Sequence, residues 1–300
     1  MRTASTILAA SLVAAAVTLP AVTDAQSAGA CDRQCLALVM TRYLDSLVAH
    51  DPKAAPLALA DAVRFTEDAR ELAVGEGLWK TAAKLRPFRT DFLDPATGTA
   101  AVHAVLEENG VPVLLAARLR VVDRRITEIE TIVVRSREEG ALFAPDALTQ
   151  PSAAMTTPPS AAQRMSREAM AEMALRYPGG LRVGSFETSD VPFASGAYRL
   201  ENGVRMAGPG CTFQPPSCEN MRSQRLPTLA GIVAHVVAVD EENGTVLLWM
   251  DFGPGSLPGP PNAAPRSLVT FEAFKIFGGQ VHAVEAIFEG MPPNTPSGWR

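Results

Sequence analysis

The two halves of this chain end in the same pattern. Residues 114–134 read LLAARLRVVDRRITEIETIVV, and residues 269–289 read VTFEAFKIFGGQVHAVEAIFE. Leu119 aligns with Phe274, Arg120 with Lys275, Val121 with Ile276, Ile126 with Val281, Glu130 with Glu285 and Ile132 with Ile287, all at one offset. A second block agrees: DPATGTAAVHAVLEE at 94–108 resembles DEENGTVLLWMDFGP at 240–254. A third sets VRFTEDARELAVGEG at 63–77 beside YRLENGVRMAGPG at 198–210. The blocks run in the same order, at a spacing far longer than a solenoid repeat. The expectation is one domain fold present twice.

The ends bound where such a protein goes. Arg2 supplies a short positive start, Ile7 to Leu19 an apolar stretch, and Pro20 breaks it before small residues. Residues 1–25 therefore read as a secretory signal peptide, with cleavage as late as residue 30 as the alternative. The apolar run is too short to span a bilayer, and no later segment reaches ~18 uninterrupted apolar residues. Ala28-Gly29-Ala30-Cys31 only weakly matches a lipoprotein cleavage site, so a lipid anchor is disfavoured. An exported protein, periplasmic or extracellular, is expected. About 270 residues then remain, enough for two domains of ordinary size. A formal charge of −5 without basic runs argues against a nucleic-acid partner.

Four cysteines suit an oxidising compartment. Cys211 and Cys218 bracket TFQPPS and are expected to form a disulfide. Cys31 and Cys35 sit four apart at a helix entry, where a bond needs a non-helical first turn.

Along the chain, Leu36, Val39, Met40, Tyr43, Leu44 and Leu47 form the buried stripe of a helix over 32–49. A strand and turn follow around Val63 to Leu72, then a second helical stretch after Gly75-Glu76-Gly77-Leu78-Trp79. Strands are predicted at 88–93, 99–107, 112–122 and 125–134. The Pro/Ser/Thr/Ala-rich segment 145–163 reads as a linker, dividing a domain at 31–144 from one at 164–300. The second half starts with a helix at 165–176 and continues with strands at 231–239, 245–252, 267–277 and 280–289. Asp123-Arg124 and Gly278-Gly279 are tight hairpin turns. Each half is thus α+β, helices covering one face of a curved antiparallel sheet.

The order helix, TED/ENG turn, GEGLW and two long hairpins resembles the cone-shaped nuclear-transport-factor-2-like fold in its SnoaL-like branch. CDRQCL at 31–36, FTED at 65–68, GEGLW at 75–79, RLENG at 199–203, EAFK at 272–275, VEAIF at 284–288 and PSGW at 296–299 resemble a family of secreted bacterial and fungal proteins catalogued as a domain of unknown function. The resemblance implies two tandem cone domains packed as a pseudo-dimer. It implies no activity, because the broader fold hosts isomerases, cyclases, dehydratases and plain binding modules.

The chemistry has to be sought residue by residue. A two-residue turn at Gly278-Gly279 sets Phe277 opposite Gln280 and therefore Glu272 opposite Glu285; the same count sets Glu130 opposite Ala117. Two ionised carboxylates directly opposite destabilise a sheet, so they share a proton, meet a cation, or lie in solvent. Inside a cone they form an acid/base pair; on the outer face they are only charges. Arg199 is the expected counter-charge, with Glu201 flanking it and Arg64 doing the same for Glu130. Trp249 and Asp251 suggest an aromatic wall with a polar handle, and His103, aligned with Trp249, a strand histidine that is either a base or structural. Metal-spaced clusters, nucleotide loops and nucleophile elbows are missing from the sequence, and no cofactor is implied. Two readings follow. One is a cofactor-independent isomerase, dehydratase or lyase acting on a small, fairly apolar molecule through Glu272, Glu285 and Arg199. The other is a non-catalytic ligand-binding module. A structural dimeriser with filled cones is the third possibility, and a further homo-oligomer stays open.

Overall fold

The computed structural model describes residues 30–54, 57–213, 217–257 and 264–292. The signal-peptide reading at 1–25 and the PSGW motif lie outside them.

Helix α1 (Arg33–Val48) begins where the Asp32 side chain accepts the Cys35 N–H at 2.8 Å, satisfying one of the open donors of a helix N-terminus. Cys31 lies before this cap, so the Cys31–Cys35 disulfide closes from outside the helix onto its first turn. Strands β1 (Leu59–Glu67) and β2 (Arg70–Leu72) follow. The helix expected after Gly75 is only a single 3₁₀ turn, Gly77–Lys80, and the chain then enters β3 (Ala82–Asp94), longer than expected. The Leu78 N–H goes to Glu67 Oε2 at 2.7 Å instead of to a helical carbonyl, and Trp79 is buried, which ends the turn. Strands β4 (Thr99–Glu108), β5 (Val111–Val122) and β6 (Arg125–Val134) complete the first sheet.

Segment 145–163 lies against both halves: Asp146 pairs with Arg86 of β3, and the Ser152 hydroxyl bonds Glu285 of the second half. Between short turns at Pro145–Ala147 and Ala161–Gln163, it carries α3 (Ala153–Thr156) and buries Met155 completely. A four-residue helix α2 (Arg137–Gly140) precedes it. Helix α4 (Arg167–Val183) is capped by Ser166 and runs through Pro178 to Gly184, which takes the left-handed conformation at φ 69°. The second sheet comprises β7 (Phe193–Glu201), β8 (Val204–Ala207), β9 (Val233–Asp240), β10 (Thr245–Asp251), β11 (Ser267–Phe277) and β12 (Gln280–Met291). Cys211 and Cys218 are bonded beside β8.

The sheets share one strand order: β2-β1-β6-β5-β4-β3 and β8-β7-β12-β11-β10-β9. In both, only the contact between the first long strand and the last is parallel. Both also carry the same irregularity, a register shift at Arg120/Val121 and at Lys275/Ile276. The Val121 N–H bonds Gly98 O at 2.7 Å, and the Ile276 N–H bonds Gly244 O at 2.8 Å. Each bulge thus gives a ladder donor to the neighbouring turn. Glycine is needed there: Gly98 has φ 67°, and a Cβ would fall 2.4 Å from Val121 O.

Four layers result. Helix α1 covers one face of the first sheet through Leu36, Met40, Tyr43, Leu44 and Leu47. Helix α4 covers one face of the second through Met170, Met173, Tyr177 and Leu181. The remaining faces pack on each other through Phe92, Leu114, Ile132, Trp249, Phe271 and Ile287. Two crossed ion pairs tie the halves. Arg33 of α1 reaches Asp240 of β9. Arg167 of α4 holds Asp94 of β3 through two bonds, at 2.6 and 2.7 Å. The backbone repeats the crossing: Leu93 N–H donates to Asp240 at 3.2 Å and Val239 N–H to Asp94 at 3.0 Å. Reciprocal contacts of this kind characterise a two-fold interface.

Candidate functional site

The α4 face of the second sheet holds a polar cluster in an apolar shell. Arg199 on β7 and Glu272 on β11 each have 3% of their surface exposed. Arg199 Nη1 donates to the Tyr177 hydroxyl at 3.2 Å, and that hydroxyl hydrogen-bonds to Glu272. Arg199 Nε lies 2.6 Å from Glu201 Oε1, an ion pair without hydrogen-bond alignment. Around them stand Phe186, Phe193 and Phe274, with ring centroids 4.9, 6.3 and 5.0 Å from that of Tyr177. Burial pushes the Glu272 carboxyl up to about 8, Glu201 adding to the rise and Arg199 and Tyr177 opposing it. The group therefore holds its proton at neutral pH beside a buried cation that is itself paired with Glu201. A carboxyl raised in this way can give up or take a proton near neutral pH.

The expected Glu272–Glu285 pair does not form. Glu272 faces Ala286, and Glu285 faces Ala273. The bulge at Lys275/Ile276 slips the register by one residue, and one residue moves a side chain to the other face. Both glutamates are buried, because both faces of this sheet are covered. Glu285 lies between the sheets, where Tyr198 and Ser152 hydroxyls donate to its Oε1 at 2.6 and 2.7 Å. Burial raises its pKa against those bonds. The same slip in the first sheet sets Glu130 opposite Arg118 rather than Ala117, with an ion pair at 3.2 Å. Burial still lifts Glu130 to about 7. Arg64 is exposed and bonds Glu71 at 3.2 Å, and its charge acts on Glu130 more weakly than that of Arg118, opposing the rise.

Trp249, Asp251 and His103 also lie on the faces turned toward the other sheet, away from Glu272. Trp249 stacks on His235 at 5.1 Å, and Asp251 accepts the Gly253 N–H at 2.8 Å. His103 packs edge-on to Phe92, and burial drives it down to about 3, so it stays neutral. No group of metal-binding side chains occurs among the described residues.

A carboxyl pair does exist elsewhere. Asp68, in the turn after β1, hydrogen-bonds with Glu289 on β12, across the two halves. Asp68 also accepts the Val133 N–H at 2.8 Å and lies 3.4 Å from Arg135, which binds Glu67 and Glu108 at 2.8 and 2.7 Å. Burial and the Asp68 charge push Glu289 well above the usual carboxylate range, so it carries the shared proton.

Sequence reasoning missed Tyr177, although Tyr43 holds the same place in the first helix stripe. It also missed Asp68–Glu289 and the crossed Arg–Asp pairs, which join residues far apart in the chain.

Residues 163–288, the α4 domain, match the family model described as Domain of unknown function (DUF8021). No curated protein matches the chain. Two disulfides accord with an oxidising, exported environment, and among the described residues no helix is long and apolar enough to cross a membrane.

Proposed function

We propose that this is an exported protein made of two duplicated, nuclear-transport-factor-2-like cones of the SnoaL-like kind, and that the second cone is the functional one. It takes a small, fairly apolar molecule and moves a proton on it without a cofactor, as an isomerase, dehydratase or lyase does. Glu272 is the acid/base, Tyr177 orients it, and Arg199 stabilises the anion. One observation carries this reading: a carboxyl held protonated at neutral pH against a buried cation, in an otherwise apolar interior. The first domain has Phe65 in the register position of Arg199 and Ala117 in that of Glu272. The crossed ion pairs and shared strand order support duplication of an ancestral homodimer.

The second reading, a binding module, is favoured by the way Arg199, Tyr177 and Glu272 already engage one another. One experiment divides the two. Native mass spectrometry of the secreted full chain identifies the molecule that co-purifies, which is then returned to protein stripped of it. Wild type converting it while Glu272→Gln binds it unchanged establishes the enzyme. Neither converting it establishes the module. A molecule whose binding is indifferent to both Glu272→Gln and Arg199→Leu removes the second cone from the account.

A further inference from the structure

A hollow of about 380 Å³ opens where the 153–163 segment crosses the second sheet. It lies by the face opposite Glu272, so nothing in it depends on the acid/base reading. Its lining is largely apolar: Pro158 and Pro159 together with Phe277 and His282. The last two rings stack in parallel, 3.5 Å between centroids and 5° apart.

Two functional side chains join that lining, Tyr198 and Lys275. Register sets them on either side of Ala283, on one face of the sheet. Lys275 is buried, and its Nζ donates to neutral oxygens: Thr157 O at 2.7 Å, Asn243 O, and Asn243 Oδ1 at 3.3 Å. No salt bridge to Lys275 occurs among the described residues. The acid whose charge acts on it, Asp240, is already engaged by Arg33. His282 is neutral, its pKa lowered by burial and then by the Lys275 charge. The Tyr198 hydroxyl is turned to Glu285. Lys275 is thus the one formal charge in the lining. A cation held out of water among neutral oxygens, without a carboxylate partner, attracts an anion more strongly than one in water does. The flat rings and prolines suit a planar body, and a hollow near the lower end of ligand-sized cavities, roughly 300–1,000 Å³, suits a small one.

We propose that this hollow is a second binding site, one that takes a small planar monoanion of the aromatic carboxylate class. The carboxylate is drawn toward Lys275, and the ring lies against the Phe277–His282 stack and the two prolines. Lys275 also holds the Asn243 turn, as Arg120 holds Thr97 in the first half. Removing its charge therefore risks the fold, and the test needs a variant that leaves it alone. Ser195, exposed and part of the lining, provides one.

The probe is salicylate, titrated into the full chain and followed by amide NMR shifts and salicylate fluorescence. Saturable binding is expected, with shifts centred on Tyr198, Phe277 and His282. Ser195→Trp, which plugs the hollow, and Lys275→Met each weaken it by about tenfold or more, and neutral salicylamide binds at least about tenfold more weakly than salicylate. Glu272→Gln leaves it unchanged. No saturable shifts up to ~10 mM, equal binding of salicylamide, or wild-type affinity in Ser195→Trp overturns the proposal. A loss in Glu272→Gln overturns it too, by moving the anion into the cone.

Discussion

The two helix-covered interiors have the same architecture and opposite chemistry. In the first, Phe65, Trp79 and Tyr43 meet edge to face, with centroids 5.3 and 5.7 Å from Trp79, and Ala117 lies under them. In the second, Tyr177 keeps the place of Tyr43, but Arg199 stands for Phe65 and Glu272 for Ala117. Aromatic area fills one; a charge, a carboxyl and a phenol share the other. Filling a core with rings stabilises it through burial and edge contacts. Burying Arg199 with Glu272 and Glu201 stabilises little by itself, because desolvation offsets their attraction. Groups that cost a fold this much without strengthening it are candidates for function. Under the proposed function the first half is the scaffold and the second the site.

The sharpest way to break this contrast is at Trp79. Trp79→Ala removes a fully buried side chain and its hydrogen bond to Ser46 O, and should cost about 3–5 kcal/mol in denaturant unfolding. A loss below about 1 kcal/mol means that the first interior is not the packed core described here.

Exchanging chemistry between the halves comes next. Arg199→Phe alone leaves Glu201 and Glu272 without their buried cation and should cost about 3 kcal/mol. Arg199→Phe with Glu272→Ala recreates the first interior's residues and should cost less than the two single changes added together, by roughly 0.5–3 kcal/mol in a double-mutant cycle. Strict additivity separates the two residues energetically.

The third effect is graded by pH. The Glu272 pKa is raised from 4.5 to about 8, so the native state holds a proton that the unfolded chain has released. That contribution is fully present below pH 4.5 and is lost as pH rises toward 8. Glu272→Gln should flatten this part of the stability profile and raise the melting temperature near pH 8. Matching melting curves for the two proteins from pH 4 to 9 would place Glu272 in solvent.

Much of this fold is legible in the chain because periodicity is local. The alternation in 125–134 and 280–289 yields β6 and β12 almost to the residue, and the helix stripe through Leu36 and Tyr43 yields α1. Both turns predicted at Asp123-Arg124 and Gly278-Gly279 have positive φ at both positions, 49° and 62°, 56° and 74°, as such hairpins require. The site is less legible. A turn counted correctly still gave the wrong partner for Glu272, because the bulge three residues away depends on Gly244 O reaching across from the β9–β10 turn. Matching Arg199 with Arg64 failed likewise; the strand register pairs it with Phe65.

By itself the sequence determined the helix stripes, the alternating strands and both disulfide candidates, since these rest on neighbours within a few positions. Only the tertiary structure decided which face each acid occupies. That depends on hydrogen bonds between distant segments, and a single slipped residue sends Glu272 to the α4 face and Glu285 between the sheets. Only the tertiary structure, too, brought Asp68 to Glu289 and Arg33 to Asp240. Those pairs are set by how two whole sheets pack on each other, a geometry that no stretch of either sheet encodes alone.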